Sequence, residues 1–221
     1  MLYPFWVEKG FAFADSQEGT VMLDKLKKDP LGAIALVFIL FMVFSFVGWA
    51  YEMINDAICQ GGWHWRSSLA GPWCPIYGIG GLLIVACFKK VSVLDGLSIP
   101  KKILRVILIA IGIYLLVTAV ELAGSYIIEA TMGYMPWDYS TSWGNFEGRI
   151  APEFTIRFVI GGLFFLYLFE PAITKWAASH RSAAIAVAVV LAVLFVVDNS
   201  LESAGVWADV IPRDAEVFVK Q

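Results

Sequence analysis

The stretch PIYGIGGLLIVACF, Pro75 to Phe88, decides how this chain is threaded. It supplies about 14 apolar residues, roughly 21 Å as a helix, against a hydrocarbon core of about 30 Å. Two readings are open: a span completed by Leu69 to Cys74, or a re-entrant segment that turns back and inverts every later orientation. Its start overlaps GPWCPIYGIGG, Gly71 to Gly81, and a second polar motif, PWDYS followed by NFEGRI, runs from Pro136 to Ile150. Ordinary connections seldom gather Trp, Pro, Gly, Asp, Asn and Arg in this way. Both segments are therefore candidates for a functional surface.

Around that stretch the chain reads as membrane protein. Hydrophobic residues make up 59% and charged residues 16% of the 221 positions, and the mean hydropathy is +0.73, beyond the mix of a soluble domain. Four further apolar runs are predicted to span, at about Leu31 to Ile58, Ile103 to Glu129, Ile156 to Trp176 and Ser182 to Leu201. The expected fold is all-α, a polytopic transmembrane helical bundle of about five spans. Its expected division is an amino-terminal interfacial or cytoplasmic segment at 1–30, the helical domain at 31–201 and an extracytoplasmic tail at 202–221. The first twenty residues lack the basic region and apolar core of a cleavable signal.

Basic residues set the expected orientation. Lys25, Lys27 and Lys28, then Lys89, Lys90, Lys101, Lys102 and Arg105, then Lys175 and Arg181, fall in alternate connections. The positive-inside rule makes these cytoplasmic, with the amino end inside and both polar motifs outside. A net charge of −3 gives no reason to invoke nucleic acid.

Acids at membrane depth are the sharpest single-residue signals. Glu52 with Asp56, Glu121 with Ser125, and Asp198 with Glu202 are each four apart, hence on one helix face. A carboxylate at mid-bilayer costs about 2.5 to 3.5 kcal/mol on insertion scales, so such groups face protein or a wet cavity. One shared outer cavity would account for all three pairs; a position at headgroup level is the alternative. Glu170, before Pro171, is read as a cap or brace of the inner end.

The order Gly48-Trp49-x-x-Glu52, Gly71-Pro72-x-Cys74-Pro75-Ile76-Tyr77-Gly78, Glu121 through Glu129, Trp137-Asp138-Tyr139-Ser140 and Asn145-x-x-Gly148-Arg149-Ile150 resembles the family described as putative ABC-transporter type IV, or CmpB-like. The resemblance spans about Phe44 to Lys175. It implies a bacterial multi-pass membrane protein of the permease type. Where the family commonly carries Asn-Arg-Gly before the glycine-proline motif, this chain has Trp65-Arg66-Ser67-Ser68, leaving Arg66 as the counterpart.

The matched residues divide into two expected roles. Gly71, Pro72, Cys74, Pro75, Gly78, Trp137, Tyr139 and Gly148 are read as structural, the prolines stiffening an elbow and the glycines allowing close backbone approach. Glu52, Arg66, Tyr77, Glu121, Asp138, Asn145 and Arg149 are the candidate substrate-binding groups. Asp138 suits a turn acceptor, and Arg149 is expected to meet Asp138 or Glu121. The tryptophans fit an interfacial belt.

No GxxxxGK[ST] loop is present, so an ATP-driven version needs a separate ATPase subunit, for which Lys89 to Lys102 is the internal docking surface. No Cys/His cluster has zinc spacing, no serine has a nucleophile elbow, and no cofactor is implied. Cys59 and Cys74 share the oxidising side, as a pair or as free thiols. The expected function is an integral membrane transporter-like permease subunit with an outer polar pocket, surrounded by lipid, alone or as a homo-oligomer. The competing classes are an intramembrane enzyme acting on a lipid-linked substrate and a noncatalytic assembly subunit.

Overall fold

The computed structural model describes residues 28–59, 65, 67, 69–133, 135 and 137–207, without the side chains of Cys59 and Met132. Its elements are α1 (Pro30–Cys59), α2 (Pro75–Phe88), a 3-10 turn (Lys89–Val91), α3 (Ile99–Met132), α4 (Pro152–Ser179) and α5 (Arg181–Ser203). Among the described residues four helices, α1, α3, α4 and α5, are long and apolar enough to cross a membrane. Among the described residues the fold is an all-α bundle, as the long apolar runs predict. Arg66 and most of the two terminal segments lie outside the described residues.

The short helix α2 packs antiparallel to α1, and glycine makes the approach possible. Gly48 faces the Tyr77 ring, Gly78 faces Ser45 and Phe41, and Gly81 faces Phe44; a Cβ at any of the three would collide with the neighbour named. Cys74, immediately before α2, donates its N–H to the Ser45 carbonyl at 3.0 Å, halfway along α1. The helical part of this crossing thus begins at mid-depth. Lys89, at its other end, pairs with Glu170 of α4. That end of the bundle also holds the starts of α1 and α5, joined by Arg181 Nη2 donating to Asp29 Oδ1 at 2.8 Å. The Arg181 guanidinium, helped by the Gly32 N–H, holds the Asp29 carboxyl down at about 2.

Residues 69–74 therefore complete the crossing that α2 leaves half made, and the re-entrant reading is set aside. Irregular backbone at this depth must find its partners in protein. Asp198 of α5 provides them: Ala70 N–H donates to Oδ1 at 3.1 Å, while Gly71 N–H and Trp73 Nε1–H donate to Oδ2 at 2.9 Å each. Ser67 Oγ accepts from Leu69 N–H at 3.1 Å and donates to the Trp73 carbonyl at 2.6 Å. Trp65 Nε1–H donates to the Leu69 carbonyl at 2.8 Å.

Two other departures from simple helices have local causes. Pro171 sits inside α4, where it lacks an N–H and crowds the carbonyl four residues back. The preceding turn, Phe165–Phe169, is widened to π geometry, with Glu170 N–H donating to the Phe165 carbonyl. α3 stops where Gly133 takes φ +78°, its N–H donating to the Glu129 carbonyl at 2.9 Å. Two apolar clusters hold the helices together: Leu36, Leu40, Phe44, Phe165 and Ala184 between α1, α4 and α5, and Ile84, Ile109, Ile113 and Leu166 between α2, α3 and α4. Phe44 and Phe165 stack with centroids 4.4 Å apart.

Candidate functional site: a cavity walled by four helices

Because α2 is short and glycine-rich, it leaves space between itself and α3 and α4. The space is a cavity of about 670 Å³ lined by α1, α2, α3, α4 and the 137–139 segment. Its walls are mainly apolar, including Leu116, Val117, Val120, Ile160 and Phe164. Ile76, Ile160 and Phe164 are 52%, 53% and 55% exposed, so the cavity opens on the flank of the bundle that faces lipid.

Polar groups gather where the polar motifs meet the helices. Gly48 lets the Tyr77 ring lie on α1, and the Tyr77 hydroxyl donates to Glu52 Oε1 one turn further along. Tyr51 meets Tyr77 edge to face at 6.5 Å, and Phe158 meets it at 5.8 Å. From α3, Glu121 accepts a long bond of 3.4 Å from Thr155 Oγ1 of α4. Arg157 of α4 donates from Nη1 to Asn55 Oδ1 at 3.1 Å and lies 5.1 Å from the Phe154 ring centre. Tyr139 is buried and stacks on Phe154 at 4.2 Å. Burial pushes its phenol well up; the Glu121 and Glu52 carboxylates and Tyr51 push the same way, and Arg157 opposes them. Two carboxylates, three phenols and one guanidinium thus share one recess.

Of the candidate binding residues, Glu52, Tyr77 and Glu121 line this cavity, together with Cys74, Trp137 and Tyr139 from the structural set. Asp138, Asn145 and Arg149 do not line it. Asp138 Oδ1 accepts from Ser140 N–H at 2.8 Å, closing the expected turn. Asn145 Nδ2 donates to the carbonyls of Ser140 and Ser142 at 3.1 and 2.9 Å, and its Oδ1 accepts from Gly148 N–H at 3.1 Å. Gly148 has φ +67°, and a Cβ there would stand 2.7 Å from Asp138 Oδ1. Trp137 Nε1–H donates to the Arg149 carbonyl at 2.8 Å.

The expected pairing of Arg149 with Asp138 or Glu121 is corrected. Its guanidinium pairs with Glu129, lies 3.6 Å from Glu147 and 4.0 Å from the centre of the Tyr126 ring, and donates to Ser125 Oγ at 3.3 Å. Ser125 and Glu129 occupy successive turns of α3, and Glu121 lies one turn, about 6 Å, below Ser125. Asp198 is likewise no part of the shared cavity, being committed to residues 70–73. Asp56 is fully buried rather than wet at headgroup level. Cys74 is buried.

Sequence reasoning missed Arg157 and Tyr51. Arg157 had a usable signal, since it is a lone cation within the apolar run FTIRFVIGG. Tyr51 had none beyond its place beside Glu52.

Neighbouring glycines separate packing from space. A Cβ at Gly80 or Gly161 would meet nothing within 4 Å, although both residues line the cavity, whereas one at Gly162 would meet Ile84 at 2.8 Å. Gly161→Ala is expected to raise the unfolding free energy by up to about 1 kcal/mol through helix propensity. Gly78→Ala is expected to lower it by about 1 to 3 kcal/mol through overpacking. Thermal unfolding in detergent distinguishes the two signs.

No curated protein and no solved structure matches the chain. The family model described as "Putative ABC-transporter type IV" matches residues 39–202, which take in all of α2, α3 and α4 and most of α1 and α5, and this multi-pass membrane protein belongs to that family.

Proposed function

We propose that the chain is a transporter-like permease subunit of a bacterial plasma membrane, with the cavity between α1, α2, α3 and α4 as its substrate site. The observation that carries this reading is the segregation within the cavity: Glu52, Tyr77, Glu121, Tyr139 and Arg157 gather in one recess, beside apolar walls open to lipid. A pocket of this size with few converging polar groups suits a small ligand. The basic surface around Lys89 to Lys102 is the docking face for a separate ATPase subunit, and Arg66, which precedes the glycine-proline motif, stays a candidate binding residue. Asp138, Asn145 and Arg149 serve by holding the loop that carries Trp137 and Tyr139 over the site.

The test is protein-dependent movement of fluorescent amphiphiles of positive, neutral and negative headgroup across reconstituted vesicles, with co-purifying subunits retained. Movement of at least one class, lost in Gly161→Leu, supports the reading. No movement of any class overturns it. Covalent turnover of a lipid-linked probe without movement moves the assignment to the enzyme class.

A further inference from the structure

The cavity has a charge balance and a wall chemistry that together specify its occupant. Glu52 and Glu121 bring two carboxylates against the single guanidinium of Arg157. Aromatic rings surround the same recess: Tyr51, Tyr77 and Phe158 in edge contact on one side, Trp137 and Tyr139 with centroids 6.4 Å apart on the other. An organic cation gains from ring faces as well as from carboxylates, and that gain grows when water is excluded. An anion in this recess would meet two acidic side chains and the negative faces of the rings, with Arg157 as the one lining cation.

Access has its own chemistry. The exposed apolar side chains that line the cavity are Ile76, Leu83, Ile160 and Phe164, on the flank of the helices rather than at their ends, and Arg157 is exposed at its polar end. Gly80 and Gly161 leave the space inside it unfilled. A solute reaching the acids past Ile76, Ile160 and Phe164 crosses apolar side chains, so this route favours one that carries apolar surface of its own.

From this juxtaposition we infer that the site takes amphipathic organic cations, with the ammonium or phosphonium centre between Glu52, Glu121 and the aromatic rings and the apolar part along Leu116, Ile160 and Phe164, entering sideways from the bilayer. The inference rests on the proposed cavity as substrate site and adds the class of substrate.

Tetraphenylphosphonium and tetraphenylborate are nearly equal in shape and opposite in charge, and so isolate the electrostatic part. Their binding to the full chain in lipid nanodiscs is measured by equilibrium dialysis, each corrected for partition into empty discs. The phosphonium is expected to bind about tenfold or more tightly than the borate, because the acidic side chains and ring faces attract the one and repel the other. Glu52→Gln and Glu121→Gln are each expected to weaken the phosphonium about tenfold and to leave the borate no weaker, while Gly161→Leu removes both. Equal binding of the two ions by the wild-type protein, or tighter borate, overturns the inference without recourse to any variant. Phosphonium binding that survives both Gln substitutions also overturns it. Vesicle movement confined to neutral or anionic amphiphiles sinks the cation class and leaves the permease reading standing. Phosphonium binding with no movement of any amphiphile does the reverse.

Discussion

Asp198→Ala is expected to lower the unfolding free energy by about 3 to 5 kcal/mol. The carboxylate is 6% exposed and accepts from Ala70 N–H, Gly71 N–H and Trp73 Nε1–H. Its removal leaves three donors without an acceptor where the surroundings are lipid and apolar side chains, and each such orphan costs about 1 to 3 kcal/mol. The irregular leg is then the first part to open. Asp198→Asn keeps one carbonyl oxygen and is expected to fall between wild type and alanine. Thermal unfolding in detergent measures both, and limited proteolysis cutting near residues 69–74 in the alanine variant checks the location. An unchanged midpoint for Asp198→Ala would remove Asp198 as the anchor of this segment.

Lys89→Met is expected to cost about 2 to 4 kcal/mol, because it strands a carboxylate. The side chain of Glu170 is 4% exposed and that of Lys89 33%. Glu170 keeps one other donor, Thr174 Oγ1–H at 2.9 Å. Glu170→Gln on its own leaves an uncharged amide beside a lysine that can turn to water, and is expected to cost less. The double variant Lys89→Met/Glu170→Gln is expected to recover most of the loss of Lys89→Met, because no unpaired charge remains. The interaction energy from that double-mutant cycle is the quantity to measure. Additive single and double effects would show that the two residues do not support each other.

Those two contacts mark the boundary of what the sequence discloses. Long apolar runs announce α1, α3, α4 and α5, since about 20 apolar residues have few other uses. The glycine-proline motif announces an elbow, because closely packed irregular backbone needs glycine. Which side chain would satisfy that elbow was hidden: Asp198 is more than 120 residues away, and its spacing to Glu202 suggested a cavity wall instead. That Glu52, Tyr77 and Glu121 line a cavity was legible because ionisable and phenolic groups on apolar helices need an enclosed place. Arg149 was misread for a geometric reason. Its partner depends on which turn of α3 the 137–150 loop meets, and a one-turn difference replaces Glu121 by Ser125 and Glu129. Arg157, one cation in an apolar run, carries the same information as the acids.

The claim on which the functional account stands is that Glu52 and Glu121 share a cavity reached from the lipid phase. Dicyclohexylcarbodiimide, an apolar reagent that dissolves in the bilayer and modifies carboxyl groups, tests it in one measurement. After treatment of the protein in vesicles, peptide mass spectrometry is expected to find modification at Glu121 and Glu52, strongly reduced in Gly161→Leu and by prior addition of tetraphenylphosphonium. Modification absent from both glutamates, or present at the same level with Gly161→Leu, would contradict a lipid-open site at this position.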